Sequence, residues 1–551
     1  MPIEGVSSKE LWTTDKVIDS TSIENLDQKI RSGVYNAGVD QSQKHKFKHP
    51  IRKIAVIGAG PAGLPTAKHL LDEGIEVKIF ERNSAAGGTW IYHKEKPLNP
   101  KFPSTVPTRI VRPSLPPDNS VLPFKVNKSL SEAQTKEELL HLNPPTPCYQ
   151  SLRNNVPTPL IKYKDLNWRE DTPWFTTHEK ILEYLQDYAN HFRLNEITEF
   201  NTSVEKLEEL PDETGWNVTV KQFRYTNDTN DVEIEWKQET FDAVVVATGH
   251  YHAPFIPNFP GLSEWRKQWP ENVIHSKQYR IPEQFKDKSV LLIGGGVSAI
   301  DISRDIAGQA KVVYSSIRKS SHAFDIKHLQ LRKELSKLMS KQVKRLGNIR
   351  LFRFKKGQSS NLQEAIVEFE DGTEITNLDY VIVCTGYVFN FHFLEQLHSD
   401  DYINGTRRQP VNDAHVLVKD GAQVFNLHKD VFYIPNPTLS FVGIPFHIAT
   451  FSLFEFQSYA IARTYSGTAE LPSEKGMRAE WNNRQRVKGS GKEFHALGSE
   501  LEIAYINDIL RWINEDGRAH QKQVIEGHNE EWIHIKSQNL IELKKSLNVV
   551  D

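Results

Sequence analysis

Three glycines and one acidic residue near the start of the chain have the types and spacing of a dinucleotide site. Gly58, Gly60 and Gly63 fit the pattern G-x-G-x-x-G. In this pattern the first glycine makes a tight turn, the second admits a pyrophosphate, and the third lets a helix approach a strand. Glu81 follows about 20 residues later, where an acidic side chain accepts hydrogen bonds from a ribose. These four residues predict dinucleotide binding.

A strand, a helix and a second strand must position these residues. The run from Lys53 to Ile57 is almost entirely apolar, as expected for a buried parallel strand. A helix follows the glycine turn, presents its N-terminal N–H groups to phosphate and ends near Gly74. Glu76 to Phe80 supply the second strand. Four apolar residues are expected on the buried side of the helix, namely Leu64, Ala67, Leu70 and Leu71.

A second glycine-rich turn lies in the middle of the chain. Val290 to Ile293 predicts a buried strand, which is followed by Gly294 and Gly296. Ala299 takes the third glycine position, and Ser298 at the start of the next helix is a further candidate contact of the cofactor. The pattern predicts a second dinucleotide site.

This second site carries cations where the first carries an acid. The next predicted strand, Lys311 to Tyr314, is followed by Ser316, Arg318 and Lys319. A carboxylate at this place would repel a 2′-phosphate, whereas a guanidinium pairs with it. The second site is therefore predicted to prefer NADPH to NADH, and the first is assigned to FAD. The alternative is that Arg318 and Lys319 are ordinary solvated turn charges.

Two such sites together imply hydride transfer from NADPH to FAD. Flavoproteins with two dinucleotide sites pass the electrons on to a disulfide, to a partner carrier or to oxygen. The chain has two cysteines, Cys148 and Cys384, which are far apart in the sequence. A redox disulfide pair and a cysteine-based metal site are therefore excluded, and no metal is expected.

Composition and charge exclude other classes of partner. The formal net charge of −2 argues against nucleic acid or an anionic membrane as the main partner. No apolar run approaches the roughly 18 residues that a spanning helix needs. The N-terminus lacks the apolar region of a signal peptide. We therefore expect a cytoplasmic protein without a transmembrane anchor.

Several motifs, taken in order, make the chain resemble the flavin-containing monooxygenases, most closely their soluble fungal members. The resemblance covers roughly Arg52 to Ser473. Its most specific part is Phe259-Pro-Gly261 followed by His275 and Tyr279, which is similar to the family signature FxGxxxHxxx(Y/F) with a longer gap. The other motifs are GAGPAG at 58–63, GGTW at 87–90, SLRNNVP at 151–157, ATG at 247–249, the turn at 294, CTGY at 384–387 and VFYIPNPTLSFVG at 431–443.

The resemblance implies an enzyme that uses FAD, NADPH and O2, in the manner of N,N-dimethylaniline monooxygenase. In this family the reduced flavin traps oxygen as a C4a-hydroperoxide, which NADP+ shields. The adduct oxygenates a soft nucleophile, such as a thiol, a sulfide or an amine. The protein then needs no strong acid or nucleophile of its own, and its task is to exclude water and donate hydrogen bonds.

The resemblance also implies how the α/β fold is divided, with the NADPH domain inserted into the FAD domain. Stretches of strand-like alternation at Trp216–Lys221 and Val232–Trp236 add a small antiparallel β layer. The predicted units are a polar leader (1–50), a first FAD part (51–254) with a proline-rich insert (93–148), an NADPH domain (255–388), an FAD return (389–472) and a charged helical region (473–551).

Single residues receive roles from the same resemblance. Asn155 matches the family's active-site asparagine, although Asn154 leaves the register open by one position. Trp90 and Gly88 are expected beside the flavin, and Phe446 and the helix after it are expected to close the flavin pocket. His275 and Tyr279 are expected to be mainly architectural. The chain is expected to pass between the two domains, close to cofactor, at Thr248, Gly249, Thr385 and Gly386.

Three other functions stay open at this point. Baeyer–Villiger monooxygenases of ketones are similar, but they carry a tryptophan where this chain has Tyr279-Arg280. A second alternative hypothesis is a nucleotide-binding protein that holds FAD without turnover. Intermediate between an oxygenase and such a protein is a leaky NADPH oxidase that releases peroxide. The oligomeric state is also open, with a homodimer among the alternatives.

Overall fold

The computed structural model describes residues 43–226, 231–318, 334–355, 361–399 and 412–549, and the backbone of 402–403 and 406–407. Most of the predicted leader and the predicted cation Lys319 lie outside the described residues. The helices are α1 (Gly63–Asp72), α2 (Pro107–Ile110), α3 (Ala133–Leu142), α4 (His178–His191), α5 (Leu262–Gln268), α6 (Val297–Ala307), α7 (Thr450–Tyr465), α8 (Glu474–Lys488), α9 (Gly498–Arg518) and α10 (Glu530–Ser546). The strands are β1 (Lys53–Ile57), β2 (Glu76–Phe80), β3 (Phe124–Ser129), β4 (Thr198–Glu199), β5 (Thr202–Glu209), β6 (Trp216–Tyr225), β7 (Asp231–Phe241), β8 (Ala243–Val246), β9 (Ala253–Pro254), β10 (Val273–His275), β11 (Ser289–Ile293), β12 (Val312–Ser316), β13 (Lys344–Leu346), β14 (Ile349–Arg353), β15 (Ile366–Phe369), β16 (Glu374–Ile375), β17 (Tyr380–Val383), β18 (Tyr387–Val388), β19 (Tyr402–Ile403), β20 (Thr406–Arg407), β21 (Leu427–His428), β22 (Phe432–Tyr433) and β23 (Leu439–Phe441).

The first nucleotide unit is built on a seven-stranded sheet. Its strands run in the order β21-β22-β23-β8-β1-β2-β4, and the β8, β1 and β2 neighbours are parallel. The predicted strand, helix and second strand are confirmed as β1, α1 and β2. One prediction within α1 is wrong, because Leu71 is 38% exposed. It stands about 100° around the helix from the buried Leu70 and so points away from the sheet.

The second nucleotide unit is a five-stranded parallel sheet in the order β10-β17-β11-β12-β13. All of its strands lie in the sequence between β8 and β23, which are neighbours in the first sheet. One unit is thus inserted into the other, and the predicted α/β class is confirmed. β12 extends to Ser316, so this residue belongs to the strand and not to the turn that follows it.

A four-stranded antiparallel sheet, in the order β3-β7-β6-β5, forms the predicted β layer. Its strands β6 and β7 extend the two stretches predicted from alternation. The edge strand β3 comes from the proline-rich insert and pairs with β7 from Phe124↔Trp236 to Ser129↔Asp231. The insert is therefore packed against the rest of the protein, and it also contains the helix α3.

After the second unit the chain returns to the first sheet. β23 pairs in parallel with β8, with Leu439 opposite Val244. The long helix α7 then packs against α1, where Thr66 Oγ1 lies 2.8 Å from Ser458 Oγ. Among the described residues, no helix combines the length and apolar character that crossing a membrane requires.

Candidate cofactor sites and the cleft between them

The first glycine turn has no space for side chains. Gly58 has φ +107°, and a Cβ on it would lie 2.8 Å from the Ala247 carbonyl oxygen. A Cβ on Gly63 would lie 1.8 Å from the Gly58 oxygen, because α1 starts directly against the turn. Gly60 faces Gly88, whose own Cβ would lie 2.9 Å from the Gly60 Cα. The turn therefore forms a bare backbone cradle of the kind that admits a pyrophosphate.

Glu81 is fixed against this turn. Its Oε2 accepts a 2.7 Å hydrogen bond from the Ala59 N–H, and its Oε1 accepts from the N–H and Nδ2 of Asn83. The side-chain oxygen of Asn83 is buried and has no hydrogen-bond partner among the described residues. The cradle, the oriented carboxylate and this unsatisfied acceptor together fit the adenosine half of FAD. Sequence reasoning missed Asn83, because only the fold brings its amide to the carboxylate.

Trp90 ends the short helical turn Gly88–Trp90. The first residue of this turn, Gly88, is the one that contacts Gly60. The indole is half-buried and packs against the core of the first unit. Helix α4 supports the turn from behind, since a Cβ on Gly87 would come within 2.2 Å of the Leu182 Cδ1. The structure thus brings Gly88 and Trp90 to the glycine cradle, and their contact with flavin stays a prediction.

The second glycine turn repeats the geometry of the first. Gly294 has φ +125°, and a Cβ on it would lie 2.4 Å from the Cys384 carbonyl oxygen. Gly296 is exposed, and a Cβ on it would meet nothing within 4 Å. Ser298 is half-exposed in the first turn of α6. This open, donor-rich helix start fits the phosphates of a second dinucleotide.

The two residues predicted to bind a 2′-phosphate, Ser316 and Arg318, differ in solvent exposure. Arg318 is exposed just past the end of β12. Ser316 is buried, and its hydroxyl donates a 2.8 Å hydrogen bond to the Gly347 carbonyl. Ser316 therefore shapes the strand end in this structure, while the guanidinium of Arg318 is open to a ligand.

Two linkers join the nucleotide units, and they run side by side. β9 and β18 pair in antiparallel fashion, with Tyr387 opposite Pro254. Phe255 N–H donates to the Gly386 oxygen at 2.9 Å, and the Thr385 hydroxyl donates back to the Phe255 oxygen. Gly249 and Gly386 have φ +65° and +83°, which glycine adopts without strain. The predicted crossing points Thr248–Gly249 and Thr385–Gly386 thus follow two strands, β8 and β17, of different sheets.

Strand order indicates which half of each nucleotide faces these linkers. Glu81 ends β2 on one side of β1, and β8 with Gly249 lies on the other side. Arg318 follows β12 on one side of β11, and β17 with Gly386 lies on the other side. A dinucleotide extends across such a turn with its adenosine on the side of the second strand. We therefore expect flavin and nicotinamide to meet beside Gly249 and Gly386.

Comparison with known proteins agrees with this geometry. A family model described as flavin-binding monooxygenase-like matches residues 143–329 and 347–520, and an NAD(P)-binding Rossmann-like model matches 56–120. The chain belongs to the flavin-containing monooxygenase family. Its cofactors are accordingly FAD and NADPH, as the sequence predicts.

Three relatives illustrate how far the match extends. The flavin-containing monooxygenase ustF2 of Aspergillus flavus is 35% identical and covers 88% of this chain and 96% of its own length. The flavin-containing monooxygenase iboF of Amanita muscaria is 33% identical over 87% of this chain and 91% of its own length. The structure of S-allyl-L-cysteine S-oxygenase from Allium sativum covers 90% of this chain and 93% of its own, with 29% identity and a TM-score of 0.61.

In this monooxygenase the two neighbouring asparagines have different environments. The Asn154 amide is buried and donates to the carbonyls of Val156 and Trp174, at 2.7 and 2.8 Å. Its oxygen accepts a 2.6 Å hydrogen bond from the Thr176 N–H. Asn155 is exposed. The geometry leaves only Asn155 of the pair free to face a ligand, which is the register that the sequence favours.

His275 and Tyr279 lie in the interior. His275 accepts a 3.1 Å hydrogen bond from the Lys277 N–H through Nδ1, and burial lowers its pKa to about 3. The Tyr279 hydroxyl donates to Asp305. Both side chains are fully buried, in agreement with an architectural role.

The wall of the cleft beside the linkers contains residues that sequence reasoning missed. Tyr251 is 50% exposed, yet the surrounding protein raises its pKa. A half-exposed side chain that is also surrounded by protein atoms is expected to line a recess in the surface. Its ring contacts those of His250 and Tyr387, with centroids 4.6 and 5.5 Å away. These aromatic residues directly follow the predicted Thr-Gly pairs. The motifs therefore predicted this position in the fold, but not the aromatic side chains that lie there.

Two basic side chains, one from each unit, lie against His252 in the first linker. Arg82 follows β2, and its Nη1 lies 3.0 Å from His252 Nδ1. Lys277 follows β10 and donates a 2.9 Å hydrogen bond to the His252 carbonyl. Burial, followed by the charges of Arg82 and Arg280, lowers the pKa of Lys277 to about 7. This cluster ties the linker to both nucleotide units.

Three potential metal ligands, His69, Asp165 and Glu455, approach one another away from the cleft. Lys68 pairs with Asp165. Glu455 accepts a 2.8 Å hydrogen bond from the Lys164 N–H, and its Oε1 is 3.3 Å from His69 Nε2. These contacts within the protein explain why the three residues lie together: they link α1, which carries His69, to α7, which carries Glu455.

Proposed function

We propose that the chain is an NADPH-dependent monooxygenase that transfers one oxygen atom from O2 to a soft nucleophile, a sulfur or nitrogen atom of a small molecule. The observation that carries this proposal is the pairing of β9 with β18. It holds the carboxyl ends of β8 and β17 together. We expect the redox halves of the two dinucleotides to meet there.

The residues assigned to FAD are those of the first cradle. Gly58, Gly60 and Gly63 accept the pyrophosphate, Glu81 accepts hydrogen bonds from the ribose, and Trp90 flanks the ring system. The residues assigned to NADPH are Gly294, Gly296 and Ser298 for the phosphates and Arg318 for the 2′-phosphate. When bound, the two cofactors supply hydride transfer and the activation of O2.

The overall reaction for a sulfide consumes NADPH, a proton and O2, and it yields the sulfoxide, NADP+ and water. One oxygen atom is bonded to sulfur and the other leaves as water. Two electrons from NADPH and two from the sulfur together reduce O2. In this reaction the protein positions the substrate against the cofactors and excludes water from the site. Asn155 is assigned to the active site, where its neutral amide donates and accepts hydrogen bonds without adding charge.

The aromatic wall of the cleft is suited to oxygen transfer without acid–base help from the protein. Burial, the charge of Lys492 and that of His495 lower the pKa of His250 to about 4, despite a hydrogen bond to the Gly443 backbone. The imidazole is therefore neutral at pH 7. Burial raises the pKa of Tyr387, so that phenol is neutral as well. Neutral walls favour an apolar or soft substrate atom.

Similarity to S-allyl-L-cysteine S-oxygenase, at 29% identity over most of both chains, supports sulfur as the acceptor atom. A direct test offers the purified protein a sulfide, a tertiary amine and a ketone, each with NADPH or NADH. We expect sulfoxide or N-oxide in proportion to NADPH and O2 consumed, with NADH a poorer donor. Lactone or ester from the ketone instead would favour Baeyer–Villiger oxygenation. A yellow protein that consumes neither NADPH nor O2 with any of the three would refute the proposed function.

A further inference from the structure

The residues that lead to Asn155 are first held by the second nucleotide unit. The Tyr149 hydroxyl donates a 3.0 Å hydrogen bond to Asp301, and the Ser151 hydroxyl donates to Asp305. Both carboxylates belong to α6, where residues four positions apart lie on the same face. The Tyr149 ring is buried in the hydrophobic core that α6 shares with β11. One face of α6 therefore anchors this part of the chain.

The residues between this anchor and Asn155 are held by the first unit. The Leu152 carbonyl accepts a 3.0 Å hydrogen bond from the N–H of His178, where α4 begins. Asn154 donates its N–H to the Thr176 carbonyl at 3.3 Å, and its side-chain oxygen accepts from the Thr176 N–H. Helix α4 packs in the core of the first unit. The chain thus passes from one nucleotide unit to the other immediately before Asn155.

Asp305 connects this bridge to a fixed point of the second unit. Its Oδ2 accepts hydrogen bonds from two hydroxyls, that of Ser151 and that of Tyr279. Tyr279 is fully buried, and its ring packs against that of Phe285 with centroids 5.6 Å apart. Ser151 itself is exposed, so its place depends on the hydrogen bond to Asp305 and not on packing.

Helix α6 also carries the proposed NADPH site. It begins directly after Gly296, and Ser298 lies in its first turn. At a rise of 1.5 Å per residue, Asp305 lies about 14 Å from Gly296 along this helix. The helix therefore relates the phosphate site at its start to Ser151 near its end.

We infer that Ser151 and Asp305 form a positioning pair, which sets the place of Asn155 relative to NADPH bound at the start of α6. This inference rests on the proposed function. Ser151 precedes Asn155 by four positions, and the backbone between them is hydrogen-bonded to the first unit. Without the pair, Asn155 stays attached to the FAD unit but is aligned less tightly with the NADPH unit. A shift of about 1 Å at an active site is enough to reduce productive turnover.

The test measures sulfoxide formed per NADPH oxidised by the full chain, with methyl phenyl sulfide as substrate and saturating NADPH. Ser151→Ala removes the donor at an exposed position and is expected to lower this ratio about three- to tenfold. Ser151→Thr keeps the hydroxyl and is expected to retain the ratio. FAD per protein and KM for NADPH should stay unchanged in both variants, because both glycine turns are intact. Ser537→Ala, which removes an exposed hydroxyl that donates within α10, is the matched control.

Two further variants separate positioning from a general loosening of the fold. Asp305→Ala is expected to lower the ratio as Ser151→Ala does; if it does not fold, the Ser151 variants decide the question. The double variant Ser151→Ala/Asn155→Ser is expected to be no worse than Asn155→Ser alone, because the pair acts through Asn155. Losses that multiply in the double variant, an unchanged ratio in Ser151→Ala, or an equal loss in Ser151→Thr would each overturn the inference.

Failure of the proposed function would be seen separately, as a wild-type protein that forms no sulfoxide. In that case the rate of FAD reduction by saturating NADPH without oxygen replaces the product ratio, because hydride transfer needs the two units aligned but no oxygen transfer. Slower reduction in Ser151→Ala than in the wild type and Ser151→Thr would support the positioning pair. Equal rates, or no reduction in any of them, would overturn it.

Discussion

At the scale of single residues, Asn154 and Asn155 show how neighbours of one type take different roles. Asn154 has its whole amide engaged by backbone groups of three other residues. Asn155 is exposed beside it. The sequence motif contains both residues and does not separate them, whereas the hydrogen bonds do. Asn154 therefore has a structural role, and Asn155 remains the candidate proposed for the active site.

Asn155→Ser is expected to leave FAD bound and to uncouple NADPH consumption from product formation. The serine hydroxyl is too short to replace the amide at the cofactor. We expect product per NADPH to fall about tenfold or more, measured as sulfoxide against NADPH oxidised and as FAD per protein. Asn154→Ser is the matched control, and it should instead lower the free energy of unfolding by on the order of 3 kcal/mol, because it leaves buried backbone groups unpaired. Unchanged coupling in Asn155→Ser would make Asn155 a turn residue only.

Arg318→Ala is expected to weaken binding of NADPH by about 1.5–3 kcal/mol, because a charge-assisted bond to the 2′-phosphate is lost. Binding of NADH, which lacks that phosphate, should hardly change. The ratio of KM values for the two nucleotides measures the effect. Lys311→Ala, an exposed cation before the opposite end of β12, serves as the control. Equal losses for NADPH and NADH would remove the assignment of Arg318.

At the scale of elements, the sequence was sufficient to predict those helices and strands that depend on the spacing of residues close together in the chain. The two strand–turn–helix units were predictable, because apolar periodicity and glycine spacing lie within about 20 residues. The pairing of β3 with β7 was not, since it joins residues more than 100 positions apart. The orientation of Glu81 by Asn83 and the approach of Lys492 to Gly386 depend on tertiary packing in the same way.

Substitutions in the two glycine turns are expected to impair binding of different cofactors. Gly63→Ala places a Cβ 1.8 Å from the Gly58 oxygen, so FAD should be lost. Gly294→Ala adds a Cβ 2.4 Å from the Cys384 oxygen at φ +125°, so NADPH reduction should be lost while FAD stays bound. FAD per protein and the rate of flavin reduction without oxygen measure the two effects. Gly308→Ala, at an open position after α6, should change neither. Loss of FAD from both cradle variants would mean that the two units do not bind separate cofactors.

At the scale of the whole molecule, the C-terminal helices belong to the same folded body as the nucleotide units. Asp430, next to the first sheet, accepts a 2.5 Å hydrogen bond from Arg484 of α8 and faces His495 at 3.0 Å. All three side chains are buried. The sequence predicted a charged helical region for residues 473–551, but sequence patterns do not show which charges are paired inside the fold. The pairs hold the segment that carries Lys492.

Asp430→Asn is expected to destabilise the protein by about 3–5 kcal/mol at neutral pH, because Arg484 stays buried without its anion. Burial alone would raise the pKa of Asp430, but the charges of Arg484 and His495 outweigh it and hold the pKa well below the ordinary 3.8. A carboxyl whose pKa is lowered by folding stabilises the protein above its unfolded pKa. That contribution is lost as pH falls through the lower, folded value.

The difference in free energy of unfolding between wild type and Asp430→Asn should therefore be large at pH 5 and shrink by pH 3, measured by urea titration at each pH. Burial lowers the pKa of His495 in the wild type. Because His495 contacts the same carboxyl, the change between pH 5 and pH 3 reports on the Asp430–His495 pair as a unit. Asp413→Asn removes an exposed pair with Lys419 and should change stability by less than about 1 kcal/mol. A difference that stays constant from pH 5 to pH 3 would mean that Asp430 is not held ionised by its partners.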